Sequence, residues 1–216
     1  MTTRVLVADD HGVVREGIRM VLEADAELEV VGEACDGAEA LQLAGVLRPD
    51  VVVMDLAMPV AGGLTAIVAL RAELPETEVV VLTAADDSTS VAAAIRAGAI
   101  GYLVKDTGAE ELRRAVRSAA AHQVQLSPAA AALLMREVRV HVSVSPLTGR
   151  ETEVLGLIGN GCSNREIAGS LGINEKTVTV HVSHVLAKLG LQSRTQAALY
   201  ALRVGLVTAG STGRKQ

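Results

Sequence analysis

Five polar residues stand where short apolar runs end. Asp9 and Asp10 close "RVLVADD", Asp55 lies in "VVVMDLAMP", Thr83 in "EVVVLTA" and Lys105 in "GYLVKD". Val- and Leu-rich runs of this length read as strands buried on both faces, and open α/β sheets gather functional groups at the carboxyl ends of their strands. The first, third, fourth and fifth strands therefore each deliver a polar group to one edge. Three clustered carboxylates repel one another and require a cation. An all-oxygen ligand set suits Mg²⁺, which keeps waters and recruits phosphate oxygens. A carboxylate beside such an ion can attack a phosphoryl group and become an aspartyl-phosphate. The Lys105 ammonium and the Thr83 hydroxyl can then hold the phosphoryl oxygens. A single aspartate at a strand end is an ordinary turn residue; the set at successive strand ends is what points to chemistry.

The elements that must carry these groups are legible. Strand-like runs, with "LEVVGEA" as the second, alternate with helical patterns at roughly 13–24, 38–47, 64–73, 88–97 and 110–121. This alternation predicts an α/β doubly wound, five-stranded parallel sheet over residues 1–121. Residues 122–145 predict a linker with a short helix that has Ser127 as N-cap and Pro128 in its first turn, and 146–207 predict an all-α domain. Its helix starts are written as Thr148-Gly-Arg-Glu151, Ser163-Asn-Arg-Glu166 and Ser193-Arg-Thr-Gln196, three expected capping boxes, with Asn174 as a further cap. The tail 208–216 is expected to be disordered.

Composition narrows the function. Half of the 216 residues are hydrophobic, yet there is no Phe and no Trp, and Tyr102 and Tyr200 are the only rings of that kind. Recognition by aromatic base stacking is excluded. Cys35 and Cys162 lie far apart and outside metal-ligand spacing, and are expected as small core residues in a reducing compartment. The start "MTTRVLVADD" shows no signal-peptide pattern, and no apolar run approaches a membrane span, so a cytoplasmic protein is expected. The net charge of −5 is uneven. Residues 1–144 hold 12 basic and 21 acidic residues, and 145–216 hold 8 and 4. The basic second part is a candidate for a polyanionic partner.

The acidic set and its surroundings, "MDLAMP", "LTA" and "GAIGYLVKD", resemble the receiver domain of two-component response regulators. The resemblance implies Asp9 and Asp10 as the acidic pair, Asp55 as phosphoacceptor, Thr83 as switch hydroxyl and Lys105 as phosphate-binding lysine. It also implies a Mg²⁺ ligated by Asp9, Asp10, Asp55 and the Ala57 carbonyl, with Tyr102 as the aromatic that turns inward when Thr83 moves. Ala57 and Ala85, two residues beyond Asp55 and Thr83, cannot position a water, so hydrolysis of the acyl phosphate is expected to depend on backbone and metal alone.

In the second part, a capped helix, a short helix, the turn "GINE" and another helix form a helix-turn-helix. The residues "LTGRE", "SNREIA", "LGI", "KTV", "KLG" and "SRTQAA" resemble the LuxR-type DNA-binding domain, and the whole chain the NarL/FixJ class. The stretch "NEKTVTVHVSHVLAKLG" alternates like a strand in its middle. Over its full length Val178, Val182, Val185, Leu186 and Leu189 form one helical stripe, Asn174 starts it and Gly190 stops it. β-branched residues each weaken the helix by only about a few tenths of a kcal/mol, and burial of the stripe offsets that. Its other face offers Thr179, Val180 and Ser183 to base edges. Phosphate contacts are expected from Asn164, Arg165, Lys176, Thr177, Lys188 and Arg194. The family commonly has Lys at the position of Thr179, so this helix is expected to rely less on charge. His181 and His184 are expected as surface or hydrogen-bonding residues.

These readings predict a transcription factor that takes a phosphoryl group from a histidine kinase and binds double-stranded DNA half-sites as a homodimer. The last helix and a receiver face are the expected contacts between copies. Apart from self-phosphorylation and slow self-dephosphorylation, no enzyme activity is expected. An atypical regulator independent of phosphorylation is one alternative. A Mg²⁺-dependent aspartyl-phosphate phosphohydrolase is another; it would need a carboxylate where Ala57 stands.

Overall fold

The computed structural model describes residues 2–58, 62–84, 88–124 and 147–207. The chain forms two compact units, Met1–Leu126 and Ser127–Gln216, which divide inside the expected linker. The linker helix at Ser127 and Pro128, Ala85, and the tail 208–216 lie outside the described residues. Among the described residues no helix is long and apolar enough to cross a membrane.

In the first unit five strands, β1 (Thr3–Ala8), β2 (Leu28–Ala34), β3 (Val51–Met54), β4 (Glu78–Thr83) and β5 (Gly101–Val104), form one sheet in the order β2-β1-β3-β4-β5. Every pairing is parallel. Five helices lie between and after the strands: α1 (Gly12–Glu23), α2 (Gly37–Leu47), α3 (Gly63–Glu73), α4 (Ser88–Ala97) and α5 (Ala109–Ala120). Residues of alternate parity line opposite faces of a strand. On one face Val5, Val7, Val51, Val53, Val80 and Leu82 pack with Ile18 and Leu22 of α1 and Leu112, Ala115, Val116 and Ala119 of α5. Helices α2, α3 and α4 contact one another in turn and bring Ala40, Ala44, Ile67, Leu70, Val91 and Ile95 into the interior. The unalternating "VVVM" of β3 is fully buried, as a central strand covered on both faces requires.

The strand order reverses beside β1: β2 lies on one side of it and β3 on the other. Such a switch opens a crevice at the carboxyl ends of β1 and β3, where Asp9, Asp10 and Asp55 follow. Gly63 opens α3 against this crevice. A Cβ there would stand 2.2 Å from the Asp55 carbonyl oxygen, so only glycine permits the approach. At the opposite end of β4, Glu78 is buried and held by Arg71 (3.1 Å) and by His122 Nδ1 (2.7 Å). Cys35 is exposed rather than in a core, because β2 has ended and its backbone N–H is donated to Glu39 (2.7 Å).

The second unit has α6 (Gly149–Gly159), α7 (Asn164–Leu171), α8 (Glu175–Leu189) and α9 (Arg194–Arg203) among its described residues. Both partners of the capping boxes at Thr148/Glu151 and Ser163/Glu166 are in place. The third expected box is only half formed. Ser193 accepts from the Gln196 N–H, but the Gln196 side chain accepts from the N–H of Gln192, one residue further back (2.8 Å). Helix α8 is uninterrupted from Asn174, whose side chain accepts from the Thr177 N–H, to Gly190 at φ 64. Val178, Val185 and Leu189 of its stripe are buried, and Val182 and Leu186 are half-buried, against α6 and α7.

Candidate functional site

Each residue of the acidic set arrives from a strand end. Asp9 and Asp10 follow β1, Asp55 follows β3, Thr83 ends β4, and Lys105 follows β5, its N–H bonded to the Thr83 carbonyl (2.8 Å). Asp9, Asp55 and Thr83 are buried, at 1%, 3% and 4% exposed. Lys105 Nζ stands 2.6 Å from Asp9 Oδ2 and 2.8 Å from Asp55 Oδ2. One ammonium thus bridges two buried carboxylates. Burial alone pushes the Lys105 pKa down; the hydrogen bonds and charges of Asp55 and Asp9 outweigh it and hold the pKa above the ordinary lysine value. The other Asp55 oxygen accepts from the Ala57 N–H (3.2 Å), and Asp9 Oδ1 accepts from the His11 N–H (2.8 Å). Tyr102 is buried, 8% exposed, in the strand that pairs with β4.

The donor set fits a hard cation. Asp9 Oδ2 and Asp10 Oδ1 are buried oxygens without an aligned hydrogen bond, although Lys105 and His11 Nδ1 stand 2.6 Å and 2.7 Å from them. Ligand atoms of Asp9, Asp10 and His11 lie within 4.8 Å of one another. His11 was not anticipated. Its adjacency in "DDH" was the available signal, but the ring's position over Asp10 follows from its place as the N-cap of α1. Arg15 was also missed; its Nη1 donates to the Asp9 carbonyl (2.6 Å) and its Nε stands 3.4 Å from Glu33.

The expected nucleic-acid face divides. Arg165, Lys176, Val180 (48% exposed) and Ser183 are exposed, and Thr177 and Thr179 are half-buried. Asn164, Lys188 and Arg194, expected as phosphate contacts, have their side chains engaged within the unit. Arg194 is 6% exposed and donates to Asn164 Oδ1 (3.0 Å) and to the Cys162 carbonyl (2.6 Å); Asn164 is 7% exposed. Lys188 Nζ donates to Glu151 Oε2 (2.7 Å), the same oxygen that accepts from the Thr148 N–H (2.7 Å). The Lys188 ammonium, together with the Thr148 backbone N–H, pulls the Glu151 pKa down to about 2. The pair ties the end of α8 to the start of α6. His184 is exposed, and His181 is half-buried with Nδ1 lacking a partner.

The comparisons with known proteins agree with this geometry. Residues 5–117 match the response regulator receiver domain, and residues 145–201 match the bacterial regulatory proteins of the luxR family. The chain is 41% identical to the transcriptional regulatory protein LiaR of Bacillus subtilis, over 94% of this chain and 99% of that protein. It is 42% identical to the DNA-binding transcriptional activator DevR/DosR of Mycobacterium tuberculosis, over 92% and 93%. The solved response regulator ChrA, from a heme-sensing two-component system, is 37% identical with a TM-score of 0.53, over 95% of this chain and 99% of that one. A structure of RcsB dimers bound to two parallel DNAs is 26% identical with a TM-score of 0.57, over 94% and 100%. With both domains matched in order and relatives matched over nearly their whole length, the chain belongs to the response regulators that join a receiver domain to a LuxR-type DNA-binding domain and regulate transcription.

Proposed function

We propose that Asp55 takes a phosphoryl group from a sensor histidine kinase and that this phosphorylation controls dimerisation and sequence-specific binding of promoter DNA. The observation that carries the reading is the Lys105 bridge between Asp9 and Asp55 at the strand-order switch. An oxygen of Asp55 attacks phosphorus, the P–N bond of the phosphohistidine breaks, and the departing imidazole nitrogen takes a proton. Asp55 thereby exchanges a carboxylate for an acyl phosphate, and Lys105 is at hand to follow the charge onto a phosphoryl oxygen. Asp9, Asp10, Asp55 and the Ala57 carbonyl would hold a Mg²⁺, which would supply charge neutralisation for the transferred group. The Thr83 hydroxyl and the Tyr102 ring are the groups that report the change, since both are buried, Thr83 at the end of β4 and Tyr102 in the neighbouring β5.

The last helix is proposed as a contact between copies in the second unit. Ala197, Leu199 and Ala201 are spent on the core of that unit, but Val204 and Leu206, just past the end of the helix, remain 42% and 41% exposed. The relative bound to DNA is a dimer, which supports dimerisation as such. The first experiment is labelling by an acyl-phosphate donor. The wild-type chain is expected to gain one phosphoryl group labile to alkali and hydroxylamine in the presence of Mg²⁺, and Asp55→Asn none; label retained in Asp55→Asn would refute the assignment.

A further inference from the structure

Helix α8 lacks Arg and Lys from Thr177 to Ala187, so the commonest readers of guanine, Arg and Lys on O6 and N7, are missing from its centre. What stands there is Val180, half-exposed, with Thr179 beside it and Ser183 one turn on. A hydroxyl has one proton to give and two lone pairs to accept with. Both protons are already spent inside the helix. Thr179 Oγ1 donates to the Glu175 carbonyl (3.2 Å) and Ser183 Oγ donates to the Thr179 carbonyl (3.1 Å). The outward chemistry of these two side chains is therefore that of acceptors.

We propose that the outward face of α8 reads A·T pairs in the major groove. The Thr179 and Ser183 oxygens accept from the N6 amine of adenine, and the Val180 methyls pack on the C5 methyl of thymine. An A·T pair shows the N6 donor beside the thymine methyl on its major-groove edge. A G·C pair also shows a donor, on cytosine N4, but no methyl, and guanine's two acceptors cannot be served by the spent hydroxyls. Donor and methyl together are what select A·T. Four residues of helix rise about 6 Å, close to two base-pair steps of about 3.4 Å. Thr179 and Ser183 then face different pairs, with Val180 between them. Arg165 and Lys176, both exposed, remain for the phosphates. His184 is exposed one residue beyond Ser183, and the assignment is made for Thr179, Val180 and Ser183 alone. The inference rests on the DNA-binding reading above and adds which bases are read and by which atoms.

The test uses the full chain with Mg²⁺ and an acyl-phosphate donor. A binding site is selected from random DNA and then remade with uracil for thymine, or with purine for adenine, at the contacted pairs. Uracil, lacking the methyl, is expected to weaken the wild type roughly three- to fivefold. Purine, lacking the N6 amine, is expected to weaken it roughly two- to tenfold. Val180→Ala should lose the sensitivity to uracil, and Thr179→Val with Ser183→Ala the sensitivity to purine. Each readout is a ratio within one protein, so a variant's general loss of affinity cancels. Wild type indifferent to both replacements, variants as sensitive as wild type, or guanine selected at these pairs would overturn the assignment. If selection with the wild type returns no sequence above background, the DNA-binding reading itself fails, and the base assignment with it.

Discussion

Two kinds of charged residue look alike in a sequence and separate in the structure. Asp9, Asp10, Asp55 and Lys105 were legible because strand ends fix where they point. The pairings of Arg194 with Asn164 and of Lys188 with Glu151 were not legible, because a helix-surface pattern does not show which polar side chains meet a partner inside the unit. Arg194 hydrogen-bonds Asn164 and the Cys162 carbonyl with 6% of its surface exposed, and losing hydrogen bonds to a charged group costs about 1.5–3 kcal/mol. Arg194→Ala should therefore lower unfolding free energy by about 2 kcal/mol in urea titrations, where an exposed control, Lys176→Ala, changes it by less than about 0.5 kcal/mol. Glu151 gives a pH signature. Its folded pKa of about 2 lies below its ordinary 4.5, so its contribution is present above 4.5 and is lost as pH falls from there toward 2. Urea midpoints followed by circular dichroism should fall over that window, and Lys188→Met should start lower and fall less. Equal declines for the two proteins would remove the Lys188 pairing as the cause.

At the scale of the element, α8 shows why window length matters. Thr-Val-Thr-Val-His-Val alternates as a strand does, yet β-branched residues fall on both faces of a helix here, Val178 buried and Val180 half-exposed. Period and caps over seventeen residues outweigh alternation over six. The stop was equally legible: Gly190 has φ 64, and a Cβ there would meet nothing within 4 Å. Gly190→Ala should thus cost only the left-handed backbone penalty of about 1–2 kcal/mol, with no steric addition. Calorimetry showing no cost would mean that the helix ends elsewhere. The half-formed box at Ser193 was beyond pattern reading, because Gln196 has the reach to satisfy either of two neighbouring N–H groups.

For the whole molecule, fold class and domain order were written in the rhythm of strand and helix and in the charge imbalance between the two parts. Left unwritten were the side-chain pairings that span elements, such as Glu78 with His122 and Arg71, since these depend on tertiary approach rather than local spacing. The central claim is that chemistry at Asp55 governs what α8 does. Its most direct test is the affinity of the full chain for its selected DNA, with and without an acyl-phosphate donor, for wild type and Asp55→Asn. A coupling of ordinary size would raise wild-type affinity roughly 5- to 150-fold on phosphorylation and leave Asp55→Asn unchanged; equal affinity in all four measurements would contradict the account.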